Sequence, residues 1–279
     1  MPESVLIQPD ELARLLAGDT APVVLDARYP GPAATGDGLP DFRAGHIPGS
    51  RWIDVNTELS GPKRPDGAGG RHPLPDPAAL QQTLRRLGVH NDSQIVVLDG
   101  GNATAAGRLW WLLTDGGLSG VRVLDGGFAA WQGNGGAVAT GDPEPAAEGD
   151  VELHPGQLPV VDADQVAAAT GRVWDVRAAE RYRGESEPID PVAGHIPGAG
   201  NLPSTEAQHP DGRFRDRAEL AEFYAEVRPG DVVYCGSGIT AAQTLLALTV
   251  AGRADGVALY PGSWSDWIAG NREVAATGD

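Results

Sequence analysis

The sequence predicts an α/β protein built as two tandem domains, each a mostly parallel sheet with helices on both faces. Three observations predict it. Short apolar strand signals alternate with amphipathic helix signals along the whole chain. The same set of motifs occurs twice in the same order. A stretch rich in Pro, Gly and acid separates the two occurrences.

The elements follow in chain order. Asp10 is read as the cap of a first helix whose apolar face is Leu12, Leu15 and Leu16, with Gly18 ending it. Residues 22–26 form a short buried strand. Asp76-Pro77 opens a helix with Leu80, Leu84 and Leu87 on one face, closed by Gly88. A strand over 94–98 and a helix over 103–113 come next. In the second half the reading is helix over 216–227, strand over 231–234 and helix over 240–251.

The duplication is explicit. Val24-Leu25-Asp26-Ala27-Arg28 pairs with Val173-Trp174-Asp175-Val176-Arg177, and Gly45-His46-Ile47-Pro48-Gly49 with Gly194-His195-Ile196-Pro197-Gly198, both at an offset of 149 (177 − 28; 195 − 46). Val96 to Gly100 pairs with Val232 to Gly236, and Gly126…Trp131 with Gly262…Trp267, at an offset of 136 (235 − 99; 267 − 131). The first copy is therefore 13 residues longer (149 − 136) between its second and third motifs, around the Gly/Pro-rich stretch 61–77. The domains read as 1–140 and 160–279, joined by a link over 141–159 that is long enough to wrap over one of them.

Composition narrows the function classes. Hydrophobic residues make up 41% of 279, enough for real cores. The net charge of −17 argues against nucleic acid and anionic membranes as partners. It leaves room for a small anion held by a few arginines, because screening confines each charge to roughly 10 Å. There is no basic start followed by an apolar run, and no apolar stretch near the roughly 20 residues of a membrane span. A single cysteine rules out an intramolecular disulfide, so the expected compartment is the cytoplasm. One cysteine and six scattered histidines give no metal-ligand spacing, and Gly236-Ser237-Gly238 lacks the third glycine of a dinucleotide loop. No metal and no cofactor are expected.

The chemistry centres on Cys235. It ends an apolar strand and precedes Gly236-Ser237-Gly238-Ile239-Thr240 and a helix rich in Ala and Leu. Loop amides and a helix start form a cradle that favours thiolate and could hold a persulfide anion. A buried core cysteine is the bland alternative, and the loop composition outweighs it. A phosphatase or arsenate-reductase loop would need Cys-x5-Arg, but the sixth residue after Cys235 is Ala241.

Cys-Gly-Ser-Gly-Ile-Thr, the two Gly-His-Ile-Pro-Gly segments and Pro261-Gly262-Ser263-Trp264 together resemble the tandem rhodanese sulfurtransferases over nearly the whole chain. Within them the loop is most similar to the 3-mercaptopyruvate branch. The resemblance implies an active second domain and a degenerate first one, in keeping with Asp99 at the first-copy cysteine position. The first domain is then a scaffold and cleft wall.

The resemblance also implies roles. The thiosulfate branch puts Arg and Lys directly after its cysteine; here Gly236 and Ser237 stand there, which suits a keto acid, with Ser237 bonding the ketone or enolate. Arg181 matches the arginine that binds the donor carboxylate. A second arginine usual before the Gly-His-Ile-Pro-Gly segment is missing from Glu187-Pro188-Ile189-Asp190-Pro191, and Arg183 is its candidate substitute. His72 matches a histidine that relays a proton with the loop serine, whose aspartate partner falls at Asn56 with Asp54 close by. Gly236, Gly238, Ile239 and Thr240 supply the amide cradle. His46, His195 and the repeated Asp26/Arg28 and Asp175/Arg177 read as fold-stabilising residues, and Trp52, Trp110, Trp111, Trp174, Trp264 and Trp267 as core or interface.

The expected function is sulfur transfer through a Cys235 persulfide, from 3-mercaptopyruvate to cyanide or to a thiol such as thioredoxin or a small thiol, by a monomer. Thiosulfate as donor and a non-catalytic sulfur relay are the alternatives.

Overall fold

A computed structural model describes residues 4–31, 36–142 and 145–276. By compactness the chain divides into two units, neither of them contiguous in sequence. Unit 1 comprises Met1–Leu59, Pro75–Gln157 and His209–Phe214; unit 2 comprises Ser60–Leu74, Leu158–Gln208 and Arg215–Asp279. The extra length of the first copy thus belongs to the second unit.

Unit 1 runs β1 (Leu6–Ile7), α1 (Pro9–Leu16), β2 (Val23–Asp26), α2 (Leu39–Ala44), β3 (Arg51–Trp52), α3 (Pro77–Arg86), β4 (Ile95–Leu98), α4 (Thr104–Asp115), β5 (Val121–Leu124) and α5 (Gly127–Gly133). Its sheet has the order β1-β5-β4-β2-β3 and every pairing is parallel. The central strand β4 is buried along its whole length, as a parallel strand covered by helices must be. α1 starts two residues earlier than the capping reading: Pro9 takes the first helical position, where its missing N–H costs nothing, and Asp10 lies inside the first turn without capping. α3 opens as expected, with the Asp76 carboxylate accepting the Ala79 N–H at 2.9 Å.

Unit 2 runs α6 (Ala163–Ala167), β6 (Val173–Asp175), α7 (Ala179–Tyr182), β7 (Gly200–Asn201), a 3-10 turn (Ser204–Ala207), α8 (Arg217–Phe223), β8 (Val232–Tyr234), α9 (Ile239–Ala251), β9 (Ala258–Leu259) and α10 (Ser263–Ala269). The sheet order is β7-β6-β8-β9, again all parallel. Its strands correspond in order to β3-β2-β4-β5. The counterpart of β1 shrinks to a single parallel bridge between Val160 and Leu259. α8 is shorter than the 216–227 expected; a capping box of Asp216 and Glu219 starts it, and it ends at Phe223.

The repeated motifs do the same work twice. Arg28 clasps Asp26 and donates to the Gly45 carbonyl at 2.7 Å, while Arg177 clasps Asp175 and donates to the Gly194 carbonyl at 2.6 Å. Arg28 lies 4.2 Å over the Phe128 ring and Arg177 4.6 Å over the Trp264 ring. His46 stacks on Phe42 and donates from Nδ1 to its carbonyl, and His195 does the same with Tyr182. Trp110, Trp111, Trp131, Trp174, Trp264 and Trp267 are buried, each a core residue whose burial contributes on the order of 2–3 kcal/mol.

Residues 145–157 of the link belong to unit 1. The Gly149 N–H donates to the Arg85 carbonyl at 2.8 Å, that of Val151 to Val89 at 3.2 Å and that of His154 to Gly116 at 2.8 Å. Residues 143 and 144 of that link fall outside the described residues. No described helix is long and apolar enough to cross a membrane.

Candidate active site

Cys235 follows the last residue of β8 and is 2% exposed. Its Sγ accepts the backbone N–H of Gly238 at 3.1 Å, one residue before α9 begins. An N–H aimed at sulfur from the start of a 13-residue helix stabilises negative charge there. Gly238 is obligatory: its φ is +79° and a Cβ would sit 2.3 Å from the Pro261 carbonyl oxygen. Ile239 and Thr240 form the first turn of the helix, which begins one residue before the 240 expected.

The loop is latched from α10. The Trp264 N–H donates to the Cys235 carbonyl and the Ser265 N–H to that of Gly236, both at 3.0 Å. Ser263 Oγ accepts the Cys235 N–H at 3.1 Å, donates to the Tyr260 carbonyl at 2.8 Å and stands 4.0 Å from Sγ. Ser263 has a φ of +54°, a left-handed conformation that disfavours any residue but glycine. Its first-copy equivalent at the 136 offset is Gly127, with φ +57°.

The segment Ser60–Leu74 completes this side of unit 2. Its Gly69 N–H donates to Asp266 at 2.8 Å and its Arg71 N–H to Ser265 Oγ at 3.0 Å. Asp266 also accepts the Tyr260 hydroxyl at 2.6 Å, and burial pushes that phenol far above its usual range. Gly70 permits the close fit, since a Cβ there would lie 2.3 Å from the Gly262 carbonyl oxygen. The segment brings His72 Nδ1 to 2.8 Å from Ser237 Oγ, with both side chains buried. Asp54, considered as the third member of this relay, lies in unit 1 and accepts from the Asn56 N–H at 2.9 Å and the Thr57 hydroxyl at 2.7 Å.

Two arginines stand over Gly236. A Cβ on that glycine would lie 2.9 Å from Arg71 Nη2 and 3.6 Å from both terminal nitrogens of Arg181. Arg181 donates to the two oxygens of Glu187 at 3.0 and 2.7 Å and to Asp190 at 3.1 Å. Arg71 pairs with the other oxygen of Asp190. Burial pushes the Asp190 carboxyl above its usual value even though Arg71 and Arg181 pull it down, and the Glu187 charge adds to the rise. Burial also acts on Glu187, but hydrogen bonds from Arg181 and from the Asp190 and Ile189 amides hold it below its usual value. Arg183 instead pairs with Glu185 at 2.7 and 2.8 Å, with its side chain 41% exposed. The arginine that joins Arg181 is Arg71.

The first-copy loop holds its own anion. Asp99 is fully buried, and its carboxylate accepts N–H groups from Gly101, Ala103, Ala105 and Ala106 at 2.9, 3.1, 3.0 and 3.2 Å. Burial raises its pKa while these four donors pull the other way. The carboxylate fills the cradle from within.

Sequence reasoning missed Arg71, Asp190, Ser263, Ser265 and Asp266. The available signal was the length mismatch between copies, which marked the insertion carrying Arg71 and His72. Among the described residues no cluster of His, Cys, Asp and Glu could hold a metal ion.

Two parallel α/β units, one presenting a buried cysteine at a strand–loop–helix turn, define a tandem protein with a thiol anion loop. The rhodanese-like domain family matches residues 8–134 and 162–270, so the chain belongs to the rhodanese family of sulfurtransferases. It is 40% identical over 272 residues to a Mycobacterium tuberculosis protein named "Putative thiosulfate sulfurtransferase SseB", covering 94% of this chain and 93% of that one. It is 41% identical over 292 residues to a Pseudomonas aeruginosa protein named "Probable 3-mercaptopyruvate sulfurtransferase", covering all of both. The crystal structure of a 3-mercaptopyruvate sulfurtransferase from Escherichia coli matches with a TM-score of 0.81 at 32% identity, over 94% of this chain and 99% of that one.

Proposed function

We propose that this chain moves sulfane sulfur from 3-mercaptopyruvate to a thiol or cyanide through a persulfide on Cys235. The observation that carries the reading is the Gly238 N–H on Cys235 Sγ at 3.1 Å, at the head of a buried helix. The Cys235 thiolate attacks the donor sulfur. The S–S bond forms as the C–S bond breaks, and the electron pair leaves on the enolate of pyruvate. The donor's thiol proton moves to the enolate carbon through Ser237 and His72, which share a hydrogen bond at 2.8 Å. The outer sulfur is left anionic, facing the amides of the 236–240 loop. Arg181 orients the donor carboxylate. An acceptor thiol, from thioredoxin or a small molecule, or cyanide in an assay, then takes the outer sulfur and restores the Cys235 thiolate.

The second reading replaces the donor with thiosulfate, which the name of the mycobacterial relative favours. Charge supports the keto acid. Arg71 and Arg181 face Glu187 and Asp190, so this group carries little net positive charge for a dianion. Steady-state turnover with each donor and cyanide, with Cys235→Ser as control, tests both readings. Mass spectrometry of donor-treated protein should show one added sulfur atom on Cys235. Full turnover by a folded Cys235→Ser protein would end the scheme.

A further inference from the structure

We propose that Arg71 is the second arginine of the donor site, a specificity-determining residue that grips the donor's anionic end together with Arg181. The inference rests on the reading of Cys235 as sulfur acceptor. Three observations carry it. Arg71 Nη2 lies 2.9 Å from where a Gly236 Cβ would be, beside both terminal nitrogens of Arg181. Arg71 Nε is buried and has no hydrogen-bond partner among the described residues, a donor left without an acceptor next to the reactive loop. The Arg71 backbone is fixed by the Ser265 hydroxyl, so the guanidinium is delivered by a held segment.

Gly236 is what admits the pair. The stretch 187–191 contains no arginine and supplies Glu187 and Asp190 instead. Asp190 bridges the two guanidiniums, one oxygen to each, and so holds them side by side. A side chain at 236 would push into this group, and a cationic one would repel it. The guanidinium donors of the site therefore come from two segments 110 residues apart (181 − 71) and not from the cysteine loop.

The test combines binding and turnover. In the Cys235→Ser background, pyruvate dissociation constants are measured by calorimetry for Arg71, Arg71→Gln and Arg71→Lys. In the intact-cysteine protein, turnover is compared for 3-mercaptopyruvate and for 1-mercaptopropan-2-one, which keeps the thiol and ketone but lacks the carboxylate. Arg71→Gln should weaken pyruvate binding and raise the mercaptopyruvate KM about ten- to hundredfold. kcat should stay within about threefold and the neutral donor should be unaffected. Arg71→Lys should recover part of the loss. The Arg71→Gln/Asp190→Asn double variant relieves the stranded carboxylate and should show the same KM effect. Equal losses on both donors, unchanged pyruvate binding in Arg71→Gln, or no pyruvate binding with Arg71 intact would overturn the proposal. If neither donor is turned over yet Arg71→Gln still weakens pyruvate binding, the sulfur-transfer reading falls and the Arg71 anion site stands.

Discussion

His72 Nδ1 and Ser237 Oγ are 2.8 Å apart although 165 residues separate them in the chain. Both belong to unit 2, because the inserted segment of the first copy is built into it. Only one of the two donors needs their proton. Thiosulfate releases sulfite with no carbon to protonate, whereas mercaptopyruvate releases an enolate. His72→Gln should lower kcat on mercaptopyruvate by about 10²-fold or more and leave thiosulfate turnover nearly unchanged. Steady-state kinetics on both donors at saturation checks this. An equal fall on both would mean that His72 supports the loop and carries no proton.

Asp190 sets the charge of the arginine pair. Asp190→Asn should raise kcat/KM for thiosulfate relative to mercaptopyruvate by about tenfold, since the extra donor charge meets one carboxylate fewer. An unchanged ratio would show that this carboxylate does not discriminate between donors.

The same residue predicts a pH dependence. Burial raises the Asp190 pKa, so acidification neutralises Asp190 at a higher pH than it would an exposed aspartate. Thiosulfate keeps both charges meanwhile. Its KM should fall as pH drops through the Asp190 titration, and Asp190→Asn should remove that slope. KM profiles of the two proteins provide the comparison; parallel profiles would exclude Asp190 as the titrating group.

Ser263 sets two effects against each other. Ser263→Ala strands the buried Cys235 N–H, at about 1–3 kcal/mol, and keeps the left-handed backbone. Ser263→Gly loses the same hydroxyl but relieves about 1 kcal/mol of that conformation. Thermal midpoints should fall in the order wild type, Gly, Ala. A Gly variant less stable than Ala would refute the strain.

In unit 1, Asp99→Asn turns one acceptor oxygen into a donor facing two N–H groups. The expected loss is about 2–3 kcal/mol or more, read as a lower midpoint for unit 1. Near-native stability would mean that the loop rearranges around the amide.

Much of this protein is legible in its sequence. The alternation of strands and helices, the paired Asp–Arg and Gly-His-Ile-Pro-Gly motifs and the cysteine loop are local patterns, and each kept its local meaning in the fold. His46 stacks on Phe42 four residues back, and His195 on Tyr182 thirteen residues back. The capping reading at Asp10 slipped because Pro9 can occupy the first helical position, a choice between neighbours that pattern alone does not settle.

The sequence by itself determined the two α/β copies, their parallel strands and Cys235 at the head of its helix. These follow from periodicity and from residue types within a few positions of one another. Only the tertiary structure decided that Ser60–Leu74 joins unit 2 and that Arg71, not Arg183, stands beside Arg181. It also decided that Ser263 turns its hydroxyl onto Cys235. Those outcomes depend on groups far apart in the chain fitting within about 3 Å, such as the Arg71 N–H on the Ser265 hydroxyl. Such contacts are chosen by hydrogen-bond satisfaction among buried groups across the fold, which leaves no period or spacing in the sequence.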